Sequence, residues 1–202
     1  MTENKHFLHL FGTHSSGKTT VNKAIGDHLG VQWESGGVVH SDPNNQCMVL
    51  GKYSVRGKYM GLDGATMTQV ERFDLIEKYW DSPHRLLLVD GCMMITWSSF
   101  WERYQHLPQV RNIWGIWLMI TDEMAEKRTV ARSGRKWTEK KLKSIRSKRK
   151  SCVYVFNKAR EIPSYRIERM KHHKEDHFKH LTRKITRVTG IDLTGCSLKN
   201  PV

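Results

Sequence analysis

The chain has 202 residues and a formal net charge of +14, from 34 Lys and Arg against 20 Asp and Glu. This length suffices for a buried core, and the four cysteines lie far apart, so a small disulfide-stapled domain is excluded. No apolar run reaches the roughly 18 residues of a membrane span, and the first residues lack the pattern of a signal peptide. We therefore expect a cytoplasmic protein with reduced cysteines and no membrane partner.

Short apolar segments alternate with amphipathic segments along the chain. Strands are predicted at residues 6–11, 38–39, 85–90, 112–120 and 191–193. Helices are predicted at residues 18–28, 68–80, 98–106, 121–132, 138–160 and 165–188. Residues 48–53 and 58–60 are typical of a hairpin. The alternation of strands and helices predicts an α/β fold with a parallel, doubly wound sheet flanked by helices.

The most specific motif lies between the first predicted strand and the first predicted helix. Residues 12–19 match the phosphate-binding pattern GxxxxGK[ST] at every fixed position. In this P-loop (Walker A) pattern, backbone N–H groups surround phosphate oxygens, a lysine reaches the β- and γ-phosphates, and a hydroxyl ligates Mg²⁺. The lysine is Lys18, and the hydroxyl belongs to Thr19. We predict that ATP and Mg²⁺ are bound by Gly12, Thr13, His14, Ser15, Ser16, Gly17, Lys18, Thr19 and Thr20.

Two further groups extend this candidate site. Asp90 ends a buried strand, at the edge where α/β sheets bind ligands, so it is a candidate metal ligand and a candidate proton acceptor. Its alternative role is that of a helix cap or turn residue. Arg128, Arg132 and Arg135 follow the next strand, where arginines on a mobile segment can cover a transferring phosphoryl group. A solvated helix face is the alternative for these arginines.

The order of these features resembles the nucleoside and nucleotide kinase branch of the P-loop proteins over residues 6–135. The resemblance implies a P-loop nucleoside triphosphatase fold of the nucleotide-kinase type. In that branch an acidic residue after the second strand, often before proline, activates the substrate hydroxyl. The resemblance therefore implies Asp42, which precedes Pro43, as a second candidate general base in addition to Asp90. The chain departs from deoxynucleoside kinases in two ways, because it carries Asp instead of Glu there and Asp-Gly instead of Glu-Arg-Ser at residues 90–91.

The middle of the chain is similar to the bacteriophage 5-hydroxymethyluracil DNA kinases. The similarity lies in residues 58–64, which read Lys-Tyr-Met-Gly-Leu-Asp-Gly and precede a capped helix. It implies that Tyr59 stacks on a base and that Asp63 hydrogen-bonds the edge of that base. An ordinary glycine-containing turn is the alternative. If a phage encodes the chain, the resemblance implies the host cytoplasm as its location.

A strongly basic segment follows the predicted arginines. Residues 128–150 contain eleven Lys and Arg and one acid, Glu139. A groove that follows a phosphate backbone uses such a charge density, whereas a site for one nucleotide does not require it. Trp137 and Tyr154 could add stacking on bases. The segment favours DNA as a partner, with a free nucleotide substrate or a solvated basic surface as alternatives.

These features divide the chain into three parts and leave three functions open. The predicted parts are a P-loop kinase core at 1–135, a basic helical lid or nucleic-acid-binding segment at 136–188, and a C-terminal strand or tail at 189–202. The first function is an ATP-dependent kinase for a hydroxyl of a modified base in DNA, which would require base flipping. The second is a kinase for nucleosides or nucleoside monophosphates. The third is a P-loop ATPase or nucleic-acid-binding module without kinase activity.

Overall fold

The fold is taken from a computed structural model of the chain. The structure describes residues 5–53, 59–62, 65–91, 112–134, 136–161, 165–171 and 175–198. The strands are β1 His6–Phe11, β2 Val39–Ser41, β3 Cys47–Leu50, β4 Lys52–Tyr53, β5 Tyr59–Gly61, β6 Leu86–Asp90, β7 Ile113–Met119 and β8 Tyr165–Lys171. The helices are α1 Lys18–His28, α2 Gln69–Asp81, α3 Asp122–Ser133, α4 Glu139–Ala159 and α5 Glu175–Thr189. Within these ranges, no helix has the length and apolar content that a bilayer crossing requires.

The main sheet has six strands in the order β2-β3-β6-β1-β7-β8. All neighbouring pairs are parallel except β2 and β3, which are antiparallel. The chain leaves β1 toward β3 and leaves β7 toward β8, so the connections diverge between β1 and β7. Ligands of α/β sheets bind at such a switch point, beyond the carboxyl ends of the strands. The predicted parallel α/β sheet is therefore confirmed, and the loop after β1 lies at its ligand-binding edge.

Helices cover both faces of the sheet. Helices α1 and α5 pack on one face in a core that includes Leu8 and Leu10 of β1. Helix α2 packs on the opposite face with Phe7, and α4 packs there with Phe11 and Trp117. Because successive strand residues point to opposite faces, β1 contributes to both cores and must be apolar along most of its length.

Three predicted helix caps are confirmed. Thr68 and Glu71 form a capping box at α2, in which each side chain accepts a hydrogen bond from the backbone N–H of the other residue. Thr121 caps α3, and Thr138 caps α4, each through a backbone N–H of the first turn. Such caps contribute about 1 kcal/mol each and fix where a helix begins. Of these helices, α3 begins directly after β7 and so starts at the ligand-binding edge.

The predicted helix over residues 165–188 is wrong in its first part, because residues 165–171 form β8. This strand pairs with β7 from Ile113↔Tyr165 to Met119↔Lys171. Its arginines lie over aromatic rings: the Arg166 guanidinium is 5.0 Å from the Trp114 ring, and Arg169 is 4.1 Å from the Phe156 ring. The aliphatic part of an arginine side chain can cover an aromatic ring while its guanidinium group stays in water, so a strand rich in arginine is stable at the edge of the sheet. This tertiary packing could not be read from local sequence.

Three other expectations have different outcomes. Residues 191–193 are not a strand, although Ile191 and Leu193 are buried against α1 and α5. The predicted hairpin exists as a separate two-stranded sheet of β4 and β5, while β3 joins the main sheet beside β6. The helix predicted at 98–106 lies outside the described residues.

Candidate active site

The loop between β1 and α1 has the backbone conformation that its glycines predict. Gly17 adopts a left-handed conformation with φ 91° immediately before α1, and Ser15 has φ 60°. A Cβ on Gly12 would lie 2.6 Å from the carbonyl oxygen of Leu118 on β7, so only glycine fits there. The loop therefore turns tightly between β1 and β7 and leads into the N-terminus of α1, where backbone N–H groups and the helix dipole attract anions.

Lys18 folds back over this loop. Its Nζ donates hydrogen bonds to the carbonyl oxygens of Gly12 at 3.0 Å and Thr13 at 2.9 Å. The side chain is half-buried, so the ammonium lies against the loop and is only partly in solvent. The structure thus places one positive charge at the centre of the loop, where the pattern predicts the β- and γ-phosphates.

Thr19 and Asp90 come together at the carboxyl edge of the sheet. The Thr19 hydroxyl donates a 2.6 Å hydrogen bond to Oδ2 of Asp90. Asp90 is 1% exposed and follows the apolar residues of β6, next to β1. A hydroxyl beside a carboxylate is an oxygen donor set that suits Mg²⁺. The two residues therefore fit the predicted metal site.

A second hydroxyl contacts the same carboxylate. Tyr53 of β4 donates a 3.1 Å hydrogen bond to Oδ1 of Asp90, and Asn22 of α1 donates to the Tyr53 hydroxyl at 3.3 Å. Burial and the charge of Asp90 raise the pKa of Tyr53 well above its ordinary value, so the phenol stays protonated. Both carboxylate oxygens of Asp90 thus accept hydrogen bonds from fixed hydroxyl donors.

The hairpin of β4 and β5 lies against Asp90 through a glycine. A Cβ on Gly61 would lie 2.3 Å from Oδ1 of Asp90, and Gly61 has φ +59°. Gly51 lies on the opposite side of the hairpin. A Cβ on Gly51 would lie 2.7 Å from the carbonyl carbon of Gly61. Glycines at these two positions allow the hairpin to contact the carboxylate directly.

Helix α3 contacts the phosphate-binding loop at Ser15. The Ser15 and Thr129 hydroxyls are 2.8 Å apart, and Arg128 Nη1 donates to the Ser15 carbonyl oxygen at 3.3 Å. Arg132 is exposed one helical turn further along. The structure therefore brings Arg128 to the loop and leaves Arg132 in solvent, on the same helix face.

Helix α4 also reaches the loop. Lys148 Nζ lies 2.6 Å from Nε2 of His14, with the lysine as donor. One turn of α4 is held in place by Arg146 and Arg149, whose guanidinium nitrogens lie 3.1 and 2.7 Å from the Asp122 carboxylate at the start of α3. Burial opposes the effect, but these two arginines lower the pKa of Asp122. The ion pairs join α3 and α4 next to the loop.

Asp42 does not lie near Asp90, so the structure does not bring this candidate general base to the phosphate-binding loop. Because β2 runs antiparallel to β3, its carboxyl end lies at the opposite edge of the sheet, roughly 13 Å along the strands from Asp90. There the Asp42 carboxylate accepts hydrogen bonds from the backbone N–H groups of Asn44 at 2.8 Å and Cys47 at 2.6 Å. It closes the turn between β2 and β3. A general base near the P-loop cannot be supplied from that position.

The other predicted site residues occupy varied positions. Thr13 and Ser16 are buried within the loop, whereas Thr20 is exposed on α1 and lines a groove with residues 195–197. Trp137 is half-buried and packs against Ile120, Ala125 and Ile145, so it joins α3 to α4. The backbone of Tyr59 lies in β5, paired with Tyr53. Asp63 and Arg135 lie outside the described residues.

Sequence reasoning missed four residues of the site. Asn22, Tyr53, Thr129 and Lys148 contact the predicted residues only through the tertiary structure. Asn22 carries a weak sequence signal, because it lies one helical turn after Thr19 and therefore on the same helix face. Tyr53 and Lys148 carry none, since 37 and 134 residues separate them from their partners. Within the described residues, no cluster of three His, Cys, Asp or Glu side chains could hold a metal.

The fold has counterparts among solved structures, while no protein-family model and no curated protein sequence matches the chain. A shikimate kinase from Acinetobacter baumannii in complex with shikimate has a TM-score of 0.52 and 14% identity, covering 95% of this chain and 97% of that one. A gluconokinase from Sinorhizobium meliloti 1021 has a TM-score of 0.50 and 14% identity, and the match covers 93% of this chain and 95% of the gluconokinase. The chain therefore shares the fold of these two kinases across nearly its whole length.

Proposed function

We propose that this protein is an ATP-dependent kinase that transfers the γ-phosphoryl group to a hydroxyl group of an acceptor. The observation that carries the proposal is the 2.6 Å hydrogen bond from the Thr19 hydroxyl to the Asp90 carboxylate. Thr19 directly follows Lys18, the lysine of the phosphate-binding loop. A loop that only bound phosphate would not need a buried carboxylate beside its hydroxyl, whereas a site that holds a metal-bound triphosphate uses both.

Each residue of the site has a chemical role in this proposal. Lys18 exchanges its loop carbonyls for β- and γ-phosphate oxygens and stabilises the charge that develops on them. Thr19 and Asp90 hold Mg²⁺, which offsets phosphate charge when bound. Arg128 keeps the loop in place through Ser15, and Arg132, one helical turn further along α3, is the candidate for covering the phosphates.

A small molecule is the acceptor that the similar structures favour. Both are kinases named for small hydroxyl-bearing molecules, gluconate and shikimate, and they share this fold over more than nine-tenths of the chain. A nucleoside or nucleoside monophosphate would be such an acceptor here. In that case the positive charge of α4 is a solvated surface, and the reaction depends little on salt concentration.

A hydroxymethyl group on a base in DNA is the second candidate acceptor, and one feature of α4 favours it. Lys140, Lys143, Arg146 and Lys150 are exposed along the helix, and Tyr154 continues them with 59% of its surface exposed. Basic side chains followed by an exposed aromatic ring suit a phosphate backbone and an unstacked base. Tyr59 and Asp63 would then contact the flipped base, as their sequence context implies.

An acceptor panel tests both candidates. The protein is incubated with γ-labelled ATP and Mg²⁺ in the presence of nucleosides, nucleoside monophosphates, gluconate, shikimate, ordinary DNA or 5-hydroxymethyluracil DNA. Label in a small molecule alone excludes the DNA candidate, and label in DNA alone excludes the small-molecule candidate. Release of free phosphate with no labelled acceptor would contradict kinase activity and favour a P-loop ATPase.

Two variants sharpen the assay. Lys18→Ala is expected to abolish transfer to any acceptor, and transfer that survives this change would mean that the site lies elsewhere. The combined change Lys143→Gln and Lys150→Gln leaves the phosphate-binding loop intact. It is expected to lower kcat/KM for DNA and weaken its salt dependence, with no effect on a small acceptor.

A further inference from the structure

Asp90 accepts hydrogen bonds from two hydroxyl groups, those of Thr19 and Tyr53, and the Tyr53 hydroxyl is in turn contacted by Asn22. Asn22 of α1 donates to the Tyr53 hydroxyl at 3.3 Å, and Tyr53 of β4 donates to Asp90 at 3.1 Å. Thr19 donates to the other carboxylate oxygen at 2.6 Å. Asn22 and Tyr53 are 0% and 1% exposed, so these contacts are shielded from water.

The direction of each hydrogen bond follows from the chemistry of the groups. A carboxylate can only accept, so the single phenol proton of Tyr53 must point to Asp90. The lone pairs of the phenol then face Asn22, which therefore presents its NH₂ group. Asn22 thus fixes the rotation of the Tyr53 hydroxyl, and Tyr53 fixes one oxygen of Asp90.

We propose that Tyr53 is a positioning residue, whose hydroxyl orients the Asp90 carboxylate so that Asp90 and Thr19 can hold the metal ion of a bound nucleotide. This inference rests on the proposed function. A carboxylate that is oriented before the nucleotide binds loses less conformational freedom on binding, and partners behind a metal ligand commonly change metal affinity. Nothing in the sequence near Tyr53 indicates this role.

The hydroxyl of Tyr53 can be separated from its ring. The ring packs 4.7 Å from the ring of Trp33 and 5.8 Å from that of His40, measured between centroids. A change of Tyr53→Phe keeps the ring and removes the hydroxyl, and with it the hydrogen bonds to Asp90 and from Asn22. Tyr79→Phe is a matched control, because Tyr79 is also fully buried and its hydroxyl bonds to backbone groups of His6 and Arg85 at the opposite edge of the sheet.

The test measures the affinity for a non-hydrolysable ATP analogue by calorimetry, with Mg²⁺ and with EDTA. For the unchanged protein we expect tighter binding with Mg²⁺. In Tyr53→Phe that gain is expected to fall about tenfold, while affinity in EDTA is unchanged, because only the metal-dependent part uses the oriented carboxylate. Tyr79→Phe is expected to keep the full gain, although it lowers thermal stability.

The outcomes separate this inference from the proposed function. If the unchanged protein binds the analogue more tightly with Mg²⁺ and Tyr53→Phe keeps the same gain, the inference is overturned and the proposed function stands. If the unchanged protein binds no nucleotide, both are overturned. Should Tyr53→Phe fail to fold, Asn22→Ala provides the same comparison: a reduced gain is expected, and an unaltered gain would contradict the positioning role.

Discussion

The hydroxyl of Thr19 and the carboxylate of Asp90 are 2.6 Å apart, although 71 residues separate them in the chain. Thr19 lies in the first turn of α1, and Asp90 ends β6, the strand that pairs with β1 in parallel. Parallel pairing brings the carboxyl ends of β1 and β6 to one edge, so the end of β6 must lie beside the loop that follows β1. The contact joins the phosphate-binding loop to the sheet.

Asp90→Asn tests that contact. The amide keeps the size of the side chain but removes the charge, so we expect the Mg²⁺ concentration for half-maximal transfer to rise about 10- to 100-fold. The measurement is the initial rate over a series of Mg²⁺ concentrations. Asp176→Asn, a change on the exposed surface of α5, is the control and is expected to leave the curve unchanged. An unaltered Mg²⁺ dependence in Asp90→Asn would remove this residue from the site.

Lys148→Gln tests the contact of α4 with the phosphate-binding loop. The Lys148 ammonium lies 2.6 Å from His14, so it places a positive charge beside the predicted triphosphate. Removing a partly exposed charge is expected to weaken the affinity for an ATP analogue about threefold to tenfold. Lys127→Gln removes an exposed charge from α3 and should have little effect. Equal losses in both variants would indicate a general effect of net charge.

Gly61→Ala tests the fit between the hairpin and Asp90. The left-handed conformation at φ +59° costs alanine about 1–2 kcal/mol of folding free energy relative to glycine. The added Cβ would also lie too close to Oδ1 of Asp90. Gly36→Ala is the matched control, because Gly36 has φ +79° with no atom within 4 Å of the added Cβ. Urea unfolding should show a loss of stability in both variants, whereas only Gly61→Ala should lose transfer activity. Full activity in Gly61→Ala would disprove the tight fit.

His6 is expected to make the stability depend on pH. Burial, with the charges of Arg85 and Arg166, lowers the pKa of His6 from 6.5 to about 4 in the folded chain. The unfolded chain therefore binds more protons between these values, so the free energy of unfolding falls as the pH drops from about 6.5 toward 4. The His6 contribution is about 1–2 kcal/mol after allowance for solvent screening.

The measurement is urea unfolding at pH 7 and pH 5. His6→Gln should reduce the difference in unfolding free energy between the two pH values, because glutamine does not titrate. His28→Gln, at an exposed position of α1, is the control and should keep the difference of the unchanged protein. A difference that is the same in all three proteins would contradict the assignment to His6.

Much of the fold could be predicted because its signals are local. The apolar segments of β1, β6 and β7 and the caps at Thr68, Thr121 and Thr138 each lie within a few residues. The spacing of Gly12, Gly17, Lys18 and Thr19 likewise specifies one loop, because a phosphate imposes both the backbone bend and the side chains around it. Parallel strands followed by helices then place that loop at the carboxyl edge of the sheet.

The remainder depended on contacts between distant segments. The direction of β2 placed Asp42 at the far edge of the sheet, although its sequence context matched that of a catalytic base. Residues 165–171 are basic, yet they form an edge strand that pairs with β7. This pairing is possible because Arg166 packs over the ring of Trp114 and Arg169 over that of Trp117.

The sequence by itself determined the phosphate-binding loop and the parallel α/β architecture, since the loop follows from one short motif and the architecture from the alternation of local strand and helix patterns along the chain. Only the tertiary structure decided which side chains surround Asp90. Tyr53 reaches that carboxylate because β4 and β5 form a separate hairpin, whose Gly61 lies against Asp90. The identity of such a neighbour is set by the path of the backbone between strands. That path follows from the packing of the whole chain and not from the residues on either side of Tyr53.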